Sequence, residues 1–393
     1  MGKYNFDEII DRSDSNSQKY DAGRVYNPYL PDEYIPMWVA DMDFAVPQPI
    51  LDAMKARIDK RILGYANYTS TLSDGYFDAI SSWLKRRHSV EAKRENIAFF
   101  ASIINASREA IAQMSSDGDG VMYFVPGYPW ITETVKEFNR KIVQLPLKHD
   151  DTGYYTIDFD AFEQEAKKIE NTLLIFINPH NPSGRVWTEE ELRKLTDICF
   201  DNNVRIFVDE VHGDLTRSSV KTISQAALYP NDPRIVTANA ISKSFNCAGN
   251  NHSYVLTYDA KLKAAFDDSR YSGSMNPLSV EAIIAAYNEC EEWLDELREY
   301  IDGNIEYLDQ YLRENLPRVK FCKPEATYLC WIDLSAYGMT EEELFRTISA
   351  AGLYLEYASD FIANADGFAR MNLACPRSTV EKACEILKKA LEG

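Results

Sequence analysis

Lys243 sits in the run Ala240-Ile-Ser-Lys-Ser-Phe-Asn-Cys-Ala-Gly249, a small-residue loop shortly after an apolar stretch that ends in Asp209-Glu210. A lysine that works as an amine, in an imine or as a base, needs a site that lowers its pKa by desolvation or neighbouring positive charge. Most lysines are instead solvated surface charges. Lys243 becomes a catalytic candidate through the residues that accompany it. These are Asn178-Pro-His-Asn-Pro-Ser-Gly-Arg185 and the run Arg205-Ile-Phe-Val-Asp-Glu-Val-His212. Each has an ordinary alternative: Asn, Pro, Ser and Gly form turns, and an aspartate such as Asp209 can cap a helix.

The elements that must position these groups can be read from the same stretches. Thr172-Leu-Leu-Ile-Phe-Ile177 and Arg205-Ile-Phe-Val208 are short and rich in branched residues and Phe, so they read as buried strands of a parallel sheet. Both deliver polar groups at their C-terminal ends, the edge where open α/β sheets bind ligands. Ile97-Ala-Phe-Phe100 followed by Ala101-Ser-Ile-Ile-Asn105 reads as strand, turn and helix start, and a helix N-terminus there offers N–H groups to an anion. Strands alternate with helices from about Pro47 to Pro277, which predicts a large α/β domain with a mostly parallel sheet flanked by helices. A long helical stretch to about Leu316, a strand in Tyr328–Asp333 and a final helix from Thr379 to Leu391 predict a smaller α/β C-terminal domain. The expected division is an N-terminal segment 1–46 packing with the small domain, a large domain 47–285 and a small domain 286–393.

The order Tyr128, Asn181-Pro-Ser-Gly184, Asp209, Ser242-Lys243 and Arg370 resembles the fold-type I pyridoxal-phosphate enzymes of the class I/II aminotransferase superfamily. With Pro36-Met-Trp-Val-Ala-Asp-Met-Asp-Phe44, Asn178 to Trp187 and Arg370-Met-Asn-Leu-Ala-Cys-Pro-Arg-Ser378, the chain is similar to the bacterial cystathionine β-lyase (carbon-sulfur lyase) subgroup, which includes the maltose-regulon modulator. The likeness runs from about Tyr34 to the C-terminus. It implies a pyridoxal 5'-phosphate cofactor held on Lys243, which, once freed, serves as the base at substrate Cα.

Further roles follow from that resemblance. Asp209 matches the carboxylate facing the ring nitrogen, Asn181 the donor to the ring hydroxyl and Tyr128 the aromatic on the ring face. His212 stands where many relatives carry tyrosine, as a neighbour of the ring or as a structural histidine. Ser102, Ile103 and Ser242 are expected at the phosphate, and Tyr65 matches a tyrosine that reaches the phosphate of the neighbouring subunit in a homodimer. Arg370 matches the arginine that clamps the substrate α-carboxylate in a planar, bidentate manner. Arg377 reads as a surface or structural residue, and Asp41 and Asp43 are given no chemistry. Two departures stand out: relatives generally carry glycine where Ser102 stands, and many place a serine where Ala240 stands. Residues that choose the leaving group are expected on loops such as Tyr354 to Gly367, where Tyr354-Leu-Glu-Tyr-Ala358 differs from relatives.

The resemblance implies β-elimination from a sulfur-bearing amino acid such as cystathionine or a cysteine conjugate. Transamination uses nearly the same groups and is the alternative; a third reading is a regulatory binding protein on the same fold. Composition narrows the classes further. A net charge of −19 over 393 residues opposes nucleic-acid binding, which needs clustered Lys and Arg. No apolar run approaches a membrane span, and the polar N-terminus does not read as a signal peptide. Seven cysteines without a Cys-x-x-Cys pair fit neither a disulfide framework nor a zinc ribbon, which suggests reduced thiols, a cytoplasmic setting and no metal. Residues 281–299 are acid-rich, but apolar residues interleave at helical spacing, so a solvated helix face is expected there.

Overall fold

Seven apolar runs assemble into one sheet in the computed structural model of the chain, which describes residues 2–64, 74–362 and 367–393. In chain order the strands are β1 (Ile97–Phe100), β2 (Gly120–Val125), β3 (Lys141–Pro146), β4 (Asn171–Ile177), β5 (Arg205–Asp209), β6 (Ile235–Asn239) and β7 (Ser253–Thr257). Their spatial order is β1-β7-β6-β5-β4-β2-β3. β7 runs antiparallel to its neighbours β1 and β6, while every other pair is parallel.

Successive side chains of a strand point to opposite faces. Met122, Phe124, Leu174 and Phe176 therefore pack into one core, and Val121, Tyr123, Leu173 and Ile175 into another. Coverage on both faces is what lets such runs be apolar at nearly every position, each buried Leu, Ile, Val or Phe being worth roughly 1.5–3 kcal/mol. The helices that cover the sheet begin where the sequence satisfies their free N–H groups. Helix Glu189–Asp201, for example, starts in a reciprocal Thr188–Glu191 capping box, a motif whose loss by Thr188→Ala costs about 1 kcal/mol.

Beyond the large sheet, β8 (Lys320–Phe321), β9 (Leu329–Asp333), β10 (Glu356–Tyr357) and β11 (Phe368–Asn372) form a smaller antiparallel sheet in the order β8-β9-β11-β10. Its register sets Glu356 directly opposite Arg370. The 25-residue helix Glu291–Asn315 precedes it, with Trp293, Leu294, Leu297, Ile301, Ile305 and Leu308 forming a buried stripe. The acidic residues of this stretch lie mainly on the remaining faces, the solvated arrangement that the spacing implied.

The N-terminal segment crosses toward both sheets. Ile35 and Pro36 pair in parallel with Leu353 and Tyr354, Asn372 N donates to Met37 O and Asp43 N to Ala374 O. Arg12 lies 2.5 Å from Asp41 and 3.0 Å from Asp43, and the fully buried Lys19 lies 2.9 Å from Asp43. Asp41 and Asp43 thus brace residues 37–44. Among the described residues no helix is long and apolar enough to cross a membrane, and no cluster of His, Cys, Asp or Glu could hold a metal ion.

Candidate active site

The parallel strands end on one edge of the large sheet, and polar residues follow those ends. Ser102 comes after β1, Tyr128 after β2, Asn181 after β4 and Lys243 after β6, while Asp209 is the last residue of β5. Antiparallel β7 begins at this same edge and brings His252 with it. Together they enclose a cavity of about 350 Å³, within the range of small-molecule sites. Ser102, Ile103, Tyr128, Asn181, Asp209, His212, Ser242 and Lys243 all line it. Arg370 stands behind Asn181, to which it is hydrogen-bonded. Tyr65 lies outside the described residues.

Lys243 is half-buried, and its Nζ donates to Ala40 O at 2.8 Å, a carbonyl that Tyr328 also reaches through its hydroxyl at 3.1 Å. Burial first, and then the nearby Arg370 charge, pull the amine down to about 8. Roughly one amine in ten is then neutral at pH 7. The segment 37–44, braced by Arg12 and Lys19, thereby orients the lysine. Behind it, Asp214 bonds His88 Nε2 at 2.8 Å, Ser244 Oγ at 3.1 Å and Trp83 Nε1 at 3.3 Å, which fixes the residue following Lys243.

Asp209 is buried, and that burial pushes its carboxyl up to about 6. Its side chain accepts a hydrogen bond from Val211 N at 3.0 Å. A carboxylate held this way gains from a cationic N–H in the cavity. His212, also buried, has an Nδ1 without a partner among the described residues, and burial drives its ring down to about 3, so it is a neutral imidazole.

Asn181 is held by a turn that requires Gly184. The backbone there has φ +70°, and a Cβ would stand 2.3 Å from Pro324 Cβ, so only glycine fits. Asn181 Oδ1 accepts from Arg370 Nη1 at 3.0 Å, which leaves the amide NH₂ free to donate elsewhere. Arg370 Nη2 donates to Trp38 O at 3.1 Å and to Glu356, with which it forms a buried ion pair. Its guanidinium also lies 4.8 Å from the Phe361 ring centre and 5.9 Å from that of Tyr128. Arg377 is structural, bonded to Asn304 Oδ1 at 2.8 Å.

At the opposite end, Ser102 caps helix Ile103–Met114 by accepting from Asn105 N at 3.1 Å. Its backbone is extended, with φ −160°, so serine meets no strain there. The N–H groups of Ile103 and Ile104 come before the first intrahelical bond, and both residues line the cavity, as do Ser242, Asn251 and His252.

Glu356, His252, Asn251, His88 and the bracing pair Arg12 and Lys19 were not among the residues singled out from sequence. For Glu356 a signal existed in the departure of 354–358 from relatives. The histidines offered none, because each is a lone residue whose partner lies far along the chain.

The profile for aminotransferase class I and II matches residues 33–387. Over 393 residues the chain is 36% identical to cystathionine beta-lyase PatB of Bacillus subtilis (strain 168), covering 98% of this chain and 100% of that protein. It superposes on the PLP-bound C-S lyase from Staphylococcus hominis with a TM-score of 0.92 at 37% identity, covering 99% of this chain and 98% of that one. Cystalysin from Treponema denticola, solved with a pyridoxal 5'-phosphate cofactor, gives a TM-score of 0.93 at 31% identity and 99% coverage of both chains. With a mostly parallel sheet, a smaller antiparallel one and a polar cavity at the strand ends, the chain belongs to the class I and II aminotransferase family.

Proposed function

We propose that this chain is a pyridoxal 5'-phosphate-dependent carbon-sulfur β-lyase that cleaves cystathionine or a related cysteine conjugate to pyruvate, ammonia and a thiol. The carrying observation is one cavity shared by an amine lowered to about 8 and a buried carboxyl raised to about 6, Lys243 and Asp209. Those residues fit the cofactor's functional groups. Lys243 Nζ would hold its aldehyde carbon, Asp209 would keep the proton on its ring nitrogen, and Asn181 Nδ2 would donate to its ring hydroxyl. Ser102, Ser242 and the N–H of Ile103 would face its phosphate, with Tyr128 beside the ring. When bound, the cofactor supplies an electron sink for the charge that develops at substrate Cα.

The remaining steps belong to the chain. Arg370 receives the substrate α-carboxylate and so sets the direction of the Cα–H bond. Lys243 Nζ, released from its tether, removes that proton as general base. The Cβ–S bond then breaks with its electron pair on sulfur, and the thiolate takes a proton on leaving. Water hydrolyses the three-carbon enamine to pyruvate and ammonia. Likeness over the full chain to proteins named cystathionine beta-lyase and C-S lyase supports elimination over transamination.

The same reading includes a homodimer in which Tyr65 serves the neighbouring subunit. Exposed Ile58, Ile62 and Leu63, immediately before that residue, support a covered surface there. Seven free cysteines, six of them buried, support a reducing, cytoplasmic setting. Incubating the purified, cofactor-loaded protein with L-cystathionine and no keto acid tests the proposal. Pyruvate, ammonia and thiol should form in equal amounts over many turnovers. Turnover that stalls until a keto acid is added assigns the chain to transamination. A protein that stays colourless after reconstitution with pyridoxal 5'-phosphate sinks the cofactor reading altogether.

A further inference from the structure

Three adjoining strands of the large sheet meet at the Ser102 end of the cavity. β1 ends at Phe100 and leads into Ser102 and Ile103; β6 ends at Asn239 and leads into Ala240 and Ser242. β7 lies between them, with Ser253 registered opposite Phe100 and Tyr254 opposite both Phe99 and Asn239. Because β7 runs the other way, its first residues fall at the level where its neighbours finish. His252 is therefore set in the middle of the cup that the two flanking turns form.

The lining of that cup is short of charge. Among the described lining residues Lys243 is the cation, and Ala240 contributes no side-chain donor. An anion bound here must be held by N–H and O–H dipoles. His252 is 4% exposed, and its Nε2 is 2.8 Å from the hydroxyl of Tyr76, itself buried. Burial raises the Tyr76 phenol well above its ordinary value, so it is a neutral hydroxyl that can donate to Nε2. With Tyr76 as the donor, the hydrogen of the neutral imidazole is on Nδ1. Among the described residues Nδ1 has no hydrogen-bond partner, its own backbone alone bearing on the ring, and a buried donor left unpaired costs free energy.

We propose that His252 Nδ1–H is a phosphate-binding donor for the cofactor, oriented by Tyr76 and placed between the Ser102 and Ser242 turns. This rests on the cofactor reading above. A neutral donor suits the position, since it gains from a dianion without carrying a buried charge of its own when the phosphate is absent.

The test compares pyridoxal 5'-phosphate with pyridoxal, which lacks the phosphate, as ligands of the full-length protein stripped of cofactor, with affinities read from absorbance. Asparagine retains a donor near the position of Nδ1, whereas glutamine reaches toward Tyr76 and leaves the cup without one. His252→Gln should bind pyridoxal 5'-phosphate about tenfold more weakly, the loss of one hydrogen bond to a charged group, with pyridoxal affinity unchanged. His252→Asn should keep most of the preference for the phosphorylated form. Equal weakening toward both ligands in both variants, or a preference unchanged in His252→Gln, overturns the assignment. A wild-type protein that binds neither ligand overturns the cofactor reading instead, so the two failures are distinguishable.

Discussion

At the Arg370 end of the cavity, guanidinium N–H groups already go to Asn181, Trp38 and Glu356; at the Ser102 end, the N–H groups of Ile103 and Ile104 precede the first intrahelical bond and, among the described residues, the Nδ1 of His252 has no hydrogen-bond partner. The contrast follows from what it costs to leave each group alone. An arginine buried without a counter-charge loses several kcal/mol, so Arg370 carries Glu356 as a partner. Backbone and imidazole dipoles cost far less when unpaired. A dipole cup can therefore be kept ready for an anion that stays, while a full charge must be neutralised between visits of an anion that comes and goes.

The largest expected effect lies between these ends. Lys243→Ala should lower turnover by at least the ~10²- to 10⁴-fold that a positioned acid-base group supplies, and the variant should still take up cofactor without becoming labelled by borohydride. Recovery of the label on a different lysine would remove Lys243 from its role. Next is Asp209, whose raised pKa has a cost in stability. In the folded protein stripped of cofactor the carboxyl binds its proton up to about pH 6, against 3.8 for a free aspartate. That protein is therefore penalised as pH rises from 3.8 through 6, by up to about 3 kcal/mol above it. Asp209→Asn should relieve the penalty at pH 7.5 and make no difference near pH 4, while activity falls by roughly 10²- to 10³-fold, as for other lost electrostatic contacts. A cofactor-free variant no more stable than wild type at pH 7.5 contradicts the burial argument.

What the sequence discloses and what it hides divide along the same lines. Asp209, Asn181, Ser102 and Lys243 are legible because each follows a short branched run, and such runs become parallel strands whose ends share an edge. Their chemistry could be named only through the resemblance to known enzymes. His252 is hidden because its place depends on the direction of β7, and the run Ser253-Tyr-Val-Leu-Thr257 reads alike for either direction. His88 is hidden because Asp214 stands 126 positions further along the chain. Asp41 and Asp43 drew notice as carboxylates, yet their partners Arg12 and Lys19 come from an N-terminal stretch with no periodic pattern. Glu356 lies in a segment visible as unusual, but its meaning came only with the strand register opposite Arg370.

That register leads to the smallest effect and the sharpest check of the contrast. A guanidinium has five N–H donors; here Nη1 serves Asn181, Nη2 serves Trp38 O and Glu356, and Nε is without a partner among the described residues. A substrate carboxylate that takes two parallel bonds must displace one of those acceptors, and Glu356 is the charged one. Glutamine at 356 keeps the shape but weakens the competing bond by about 1 kcal/mol, the difference between a charged and a neutral acceptor. Glu356→Gln should therefore lower KM for the amino-acid substrate roughly fivefold, leave cofactor content unchanged and reduce thermal stability, because Arg370 then loses its counter-charge between turnovers. A KM that rises, with cofactor still fully bound, would mean that Glu356 holds the guanidinium in its receiving position instead of standing in for the substrate, and the two ends of the cavity would then be built on the same plan.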